Sequence, residues 1–131
     1  MLLETIYNME SIRFLKQNMP SLTEVASAHQ YRPGQILFYA EHFPYGLFIL
    51  TEGEVEIQYL TGFVEHVRPG AILGASAFLK NKAYCGTAKT IGSAKLYFIS
   101  KTQYQELKEQ QHPVNHWVTE LLYHRLHSKD V

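Results

Sequence analysis

The chain opens with apolar positions at Ile6, Met9, Ile12 and Leu15, a three-residue step that predicts a short amphipathic helix. Met19-Pro20-Ser21 is expected to end it, because the residue before a proline avoids helical backbone angles; a second short turn is expected over Ser21 to Ala28. From Tyr31 the rhythm shortens. Turn signals fall at Pro33-Gly34, Pro44-Tyr45-Gly46, Glu52-Gly53, Thr61-Gly62, Pro69-Gly70, Asn81-Lys82 and Gly92-Ser93. A spacing of about eight to twelve residues suits a sandwich or barrel of short strands. Val55, Ile57 and Tyr59 alternate with Glu54, Glu56 and Gln58, so this strand buries one face and wets the other. Leu47 to Leu50 is apolar on both faces and is expected at the centre of the sheet. Thr87 to Ile91 and Lys95 to Ile99 supply the last pair of strands.

The final third returns to a helical period. Ser100 followed by Gln103 reads as a capping box that opens a helix with Tyr104 and Leu107 inward. His112-Pro113 breaks that helix, and Pro113 suits the first turn of the next. The last helix carries Val114, Trp117, Val118, Leu121 and Leu122 on one broad face, with His116, Thr119, Glu120, Tyr123 and His127 opposite. That apolar arc spans about 140°, wider than the ~100° stripe one core requires, so a second surface is expected to cover part of it. The reading is one mainly β domain over residues 1–131: an N-terminal helical segment (1–30), a jelly-roll-like barrel (31–99) and two C-terminal helices (100–131).

Composition narrows the function. With 131 residues the chain has the length of one domain, and 46% apolar against 18% charged residues marks a folded one. Twelve basic and twelve acidic residues cancel, so there is no electrostatic footprint for nucleic acid or an anionic membrane. The densest apolar run, Gly46-Leu47-Phe48-Ile49-Leu50, is far short of the ~20 residues of a membrane span. Met1-Leu2-Leu3-Glu4 lacks the basic start of a signal peptide, and the single cysteine, Cys85, forms no internal disulfide. A cytoplasmic location is expected.

The order of elements, together with three stretches, resembles the cyclic nucleotide-binding domain family, the sensor half of catabolite-activator-type regulators. The stretches are Tyr31-Arg32-Pro33-Gly34-Gln35-Ile36-Leu37-Phe38, then Leu47 through Ile57 with Glu52-Gly53-Glu54 inside it, then Val67-Arg68-Pro69-Gly70-Ala71-Ile72-Leu73-Gly74. Tyr104-Gln105-Glu106-Leu107, Gln111-His112-Pro113 and Leu121 to Leu126 resemble the family's final helices, so the likeness spans Ser21 to Ser128. It implies a jelly-roll-like double-stranded β-helix of about eight strands flanked by helices. In this family a short helix follows the Gly74 position, and its free backbone N–H groups hold the cyclic phosphate. A glutamate directly after that glycine accepts from the ribose hydroxyl. An arginine on the next strand, two residues before a small residue, pairs with the phosphate. Here Ala75 stands at the glutamate position and Gly86 at the arginine position. Losing the arginine alone removes a charge-assisted bond of about 1.5–3 kcal/mol.

The candidate ligand pocket is therefore Gly74, Ala75, Ser76 and Ala77 with Gly86, Thr87 and Ala88, small residues that leave room and free donors. The expected function is a regulatory sensor or interaction module. Its pocket either takes a small ligand other than a standardly held cyclic nucleotide or has lost binding. Val114, Trp117, Val118, Leu121 and Leu122 would make a homodimer or dock a protein that carries the output. The alternative is a true cyclic AMP or cyclic GMP sensor with an altered pocket, with Lys80, Lys82 or Lys89 as replacement cation; Lys89 is expected to face water. A further alternative is a cupin-like metal-dependent barrel enzyme. Such sites need two histidines at H-x-H spacing with a carboxylate, and no H-x-H occurs among the seven histidines. His112/His116 and His124/His127 have helical spacing but read as solvated surface residues, and Cys85 reads as a small buried hydrophobe. No nucleophile–base pair, phosphate loop or zinc cysteine cluster is present, so no enzymatic activity, no cofactor and no metal are expected. The transcription factors of the family carry a helix-turn-helix after the long helix; none is recognised in these residues, and no DNA binding by this chain is expected.

Overall fold

In a computed structural model, the backbone is described for residues 2–116 and 118–120, and the side chains for Arg13 and from Leu15 onward within that range. Helix α1 (Leu2–Val25) leads into six strands: β1 (Ser27–Tyr31), β2 (Ile36–Phe38), β3 (Gly46–Tyr59), β4 (Val64–Val67), β5 (Ile72–Leu73) and β6 (Gly86–Ser100). A short helix α2 (Ala75–Leu79) interrupts the strands, and α3 (Lys101–Glu109) follows them. Residues 113–116 and 118–120 are again helical. No described helix is long and apolar enough to cross a membrane.

Helix α1 does not stop at Pro20; the proline lies inside it. A mid-helix proline removes one main-chain hydrogen bond and costs roughly 3 kcal/mol. Leu15 and Leu22, two turns apart on one face, are 6% and 0% exposed and share a cluster with the sheet, with Met19 and Val25 packed against it. Each such burial contributes about 1.5–3 kcal/mol, so packing outweighs the local signal. The Thr23 hydroxyl donates to the Pro20 carbonyl at 3.0 Å. The turn expected over Ser21 to Ala28 is instead the end of this helix and the start of β1, which pairs with β6 from Ser27↔Phe98 to Tyr31↔Ala94.

All strand pairings are antiparallel, in the order β1-β6-β3-β4, with β2 also on β6 and β5 also on β3. The path does not close on itself. Six strands stand where about eight were expected, because β3 and β6 each run through a position read as a turn. They pair from Gly46↔Ser100 to Tyr59↔Gly86, with the register slipping between Leu50 and Glu54. Gly53 (φ 94°) and Ser93 face each other across that slip: a Cβ on Gly53 would lie 2.5 Å from the Ser93 carbonyl oxygen. Glu52-Gly53 and Gly92-Ser93 are thus the two sides of one bend in a continuous ladder, as glycine within a strand commonly is.

The apolar-on-both-faces run divides two cores. Leu47 and Ile49 join the helix-side cluster with Tyr97, Ile99, Tyr104 and Leu107. Leu50, Val55 and Ile57 join Leu96, Ala88 and Leu73 in a second cluster made of strand and turn residues. Along Glu54–Gln58 the predicted alternation holds, with Val55 and Ile57 buried between Glu54, Glu56 and Gln58. The Ser100 capping box is present: Gln103 N–H donates to Ser100 Oγ at 3.1 Å and Ser100 N–H to Gln103 Oε1 at 2.9 Å. Gln103 Nε2 also donates to the Val25 carbonyl at 3.3 Å, tying α3 to the end of α1.

Candidate functional site

The region the sequence singled out is built on a turn, a two-residue strand and a five-residue helix. Pro69-Gly70 turns the chain, β5 pairs Ile72 and Leu73 with Ile49 and Phe48, and Gly74 then adopts left-handed angles (φ 75°, ψ 14°) to start α2. Glycine is required there twice over. An L-residue resists that φ, and a Cβ would sit 2.6 Å from Cε1 of Tyr84. Ala75, Ser76 and Ala77 are 7%, 6% and 7% exposed. Ala75 belongs to the same buried cluster as Ile49 and Ile72, so an ionised carboxylate at this position would be desolvated. Ser76 Oγ is buried with no hydrogen-bond partner, the one such side-chain atom among the described residues.

The segment that enters β6 follows α2, and its alternating burial assigns each residue a side. Tyr84 is buried, Cys85 exposed, Gly86 buried, Thr87 half-buried and Ala88 fully buried. Cys85 is therefore a surface thiol, not the buried hydrophobe expected, because it falls on the outward phase of the strand. Gly86 does not face Gly74. Its missing side chain would run into Ile57 Cγ2 at 2.9 Å and the Gln58 carbonyl oxygen at 3.0 Å, so Gly86 permits close approach to β3. Thr87 Oγ1 accepts from the Ala40 N–H at 3.0 Å, and Ala88 lies in the strand cluster. The structure thus brings Gly74, Ala75, Ser76 and Ala77 together, and uses Gly86, Thr87 and Ala88 to pack β6.

The side chain that reaches Gly74 is Tyr84, which sequence reasoning passed over. Its ring stacks on Phe38 (centroids 3.8 Å apart, planes at 13°), and burial pushes its phenol up to about 12. Main-chain bonds fix the segment: Tyr84 N–H donates to the His42 carbonyl at 2.9 Å, and Glu41 N–H donates to the Tyr84 carbonyl at 2.8 Å. A signal was available. Counting back in twos from Ala88 places Gly86 and Tyr84 on one inward face.

The lysines that the alternative nucleotide reading needs face solvent. Lys80 and Lys82 are exposed, and Lys89 is exposed with its Nζ 3.8 Å from Glu56 Oε2. Glu56 also meets His66 Nε2 at 3.6 Å, and Glu54 meets His66 Nδ1 at 3.8 Å and Arg68 Nε at 3.9 Å. These pairs form a cross-strand ladder on the wet face of β3, each contributing at most about 1 kcal/mol. Among the described residues no group of three His, Cys, Asp or Glu side chains is placed to hold a metal. His112 is not a surface partner of His116: its Nδ1 accepts from the Val114 N–H at 3.2 Å, capping the last helix, while His116 pairs with Glu120 at 3.6 Å.

The proposed partner face is divided. Val114 and Val118 are 0% exposed and sit in the chain's own helix-side cluster, because the helix lies against α1 and α3 residues such as Leu22 and Leu107. Trp117, Leu121 and Leu122 lie outside the described residues. The cassette is joined to this cluster: Phe78 meets Tyr104 edge-on (5.2 Å, 87°), and Leu79 packs on the same core.

A bent antiparallel sheet with a short helix set into it, flanked by helices at both ends, is a jelly-roll fold of the kind found in regulatory domains. The chain belongs to the cyclic nucleotide-binding domain family, whose sequence pattern it matches over residues 28–111. No curated protein matches it. Solved structures share the fold at low identity. A candidate cyclic nucleotide-binding protein from Geobacter metallireducens is 20% identical, with a TM-score of 0.68 over 89% of this chain and 91% of that one. A protein of a cyclic-GMP-dependent signalling pathway that regulates bacterial phytopathogenesis is 17% identical, with a TM-score of 0.74 over 88% and 95%. The catabolite activator protein of Thermus thermophilus is 20% identical, with a TM-score of 0.71 over 86% of this chain and 55% of that one, so this chain spans about half of the activator's length.

Proposed function

We propose that this domain is a cytoplasmic regulatory module that does not read cyclic nucleotides through the family's charged contacts, and that passes its state to a partner through the C-terminal helices. The observation that carries this reading is the chemistry of the cassette. From Gly74 to Leu79 it holds no charged side chain, and the flanking Lys80 and Lys82 point into solvent. A cyclic phosphate brought to such a site would lose its hydration without gaining an ion pair. The packing of Ala75, Phe78 and Leu79 with Tyr104, Val114 and Val118 supports a mechanical link from cassette to helices. The output surface would comprise Trp117, Leu121 and Leu122, in a homodimer or on a protein partner.

Thermal-shift titration of the wild type with cyclic AMP and cyclic GMP tests the first part; the expected result is a flat response into the millimolar range. A saturable rise of several degrees with either nucleotide would overturn it. Sedimentation of Trp117→Ala and Leu121→Asp tests the second part, the expected result being weakened self-association or partner binding. A second reading, a polar ligand held through Ser76, is favoured by the unpartnered Oγ, since a buried hydroxyl without a partner costs about 1–3 kcal/mol. Under that reading a nucleotide response would be present and would disappear in Ser76→Ala.

A further inference from the structure

Tyr84 is the described side chain that closes on the cassette. Its Cε1 lies so near Gly74 that even a methyl group there would be 2.6 Å away, and the phenyl face of Phe38 backs it at 3.8 Å. The tyrosine is only 6% exposed, and its backbone is bonded on both sides to the Glu41–His42 turn. We propose that Tyr84 is a built-in occupant of the cassette, an autoinhibitory stopper whose ring takes the space over Gly74 that a bound ligand would fill. This rests on the reading above, that the wild type does not hold cyclic nucleotides in the family's manner, and adds a second barrier to the missing charges: the space is already taken by the protein's own ring.

Three observations support it. The ring is held by stacking and by main-chain bonds, so the stopper is rigid and does not depend on a partner. A phenol supplies no cation for a phosphate, and burial of this one raises its pKa, so the ring fills the space without adding a charge. Ser76 Oγ, two residues from Gly74, is buried without a hydrogen-bond partner, a polar atom of the cassette left unused by the protein itself.

The experiment compares wild type, Tyr84→Ala and Tyr84→Leu in thermal-shift titrations with cyclic AMP and cyclic GMP, each variant first shown to be folded by a cooperative urea transition. Tyr84→Leu keeps apolar bulk while withdrawing the ring edge, and covers the case in which the alanine variant does not fold. The expected result is a flat wild type and, in the folded variants, a weak saturable response with a midpoint in the millimolar range, since opening the space restores no charged partner; at ligand tenfold above its Kd the rise is roughly 3–8 °C. A flat wild type with flat, folded variants overturns the stopper and leaves the functional reading standing. A wild type that responds as strongly as the variants overturns the functional reading, and the stopper with it.

Discussion

Gly74→Ala is expected to destabilise the domain by about 2–5 kcal/mol, and the clash part of that loss, about 1–3 kcal/mol, should vanish when Tyr84, ten residues away, is changed as well. Two costs add. Gly74 sits at φ 75°, where an L-residue is disfavoured by about 1–2 kcal/mol. The new Cβ would stand 2.6 Å from Tyr84 Cε1, against a favourable carbon–carbon separation of about 3.5–4.0 Å. The ring's freedom to swing aside is limited by Phe38, stacked 3.8 Å away on its face, and by the main-chain bonds that fix Tyr84. Overpacking of this kind costs about 1–3 kcal/mol. Tyr84→Leu removes the offending ring edge and forfeits the stacking, for a loss of about 1–3 kcal/mol on its own. The double variant keeps the backbone strain but not the clash. Its loss should fall short of the sum of the single losses by about 1–3 kcal/mol. Urea unfolding of the four proteins measures this, read as shifts in midpoint at constant slope. Additivity within about 0.5 kcal/mol would mean that Tyr84 does not lie over Gly74, and would refute the placement of the ring.

Ser76→Ala is expected to stabilise the wild type by about 1 kcal/mol by removing a buried hydroxyl that has no partner, and a loss of stability would show that the hydroxyl is satisfied. Thr90 is 1% exposed; its hydroxyl donates to the Arg32 carbonyl at 2.6 Å and accepts from the Gln35 N–H at 2.9 Å. Thr90→Val should therefore cost about 2–4 kcal/mol, and amide hydrogen exchange at Gln35 should accelerate with it. Alkaline unfolding tests the burial of Tyr84. Its phenol is raised to about 12 from an ordinary 10, so the neutral form is the one the fold favours. The stability it lends is whole below pH 10 and is lost as pH climbs through the raised value. Wild type should lose more stability than Tyr84→Leu between pH 10 and pH 12, and identical profiles would contradict the burial.

The errors of sequence reasoning have a common origin. Pro20, Gly53 and Gly92 are local signals for stopping an element, yet α1, β3 and β6 run through all three. In each case the flanking residues bury apolar side chains in a shared core, and that burial outweighs a local backbone preference. Motif spacing puts Gly86 at the arginine position and the usual burial of a free cysteine puts Cys85 inside; strand phase decides that Cys85 points out and Gly86 lies against Ile57. His112 reads from its spacing as a solvated surface residue, but its imidazole caps the helix that its own Pro113 begins.

By itself the sequence determined the features that depend on neighbours within a few positions. These are the buried phase of Val55 and Ile57, the two-faced run Leu47–Leu50, the Ser100–Gln103 cap, and the break at His112-Pro113. It also determined the neutrality of the cassette, since Ala75, Ser76 and Ala77 are legible without coordinates. Tertiary structure alone decided what stands against that cassette. Phe38 lies tens of residues before Gly74, and Tyr84 ten residues after it, and their meeting depends on how β2, β5 and the approach to β6 pack. A ring stacked at 3.8 Å and a glycine held at positive φ are consequences of close packing between distant segments, which no local period encodes.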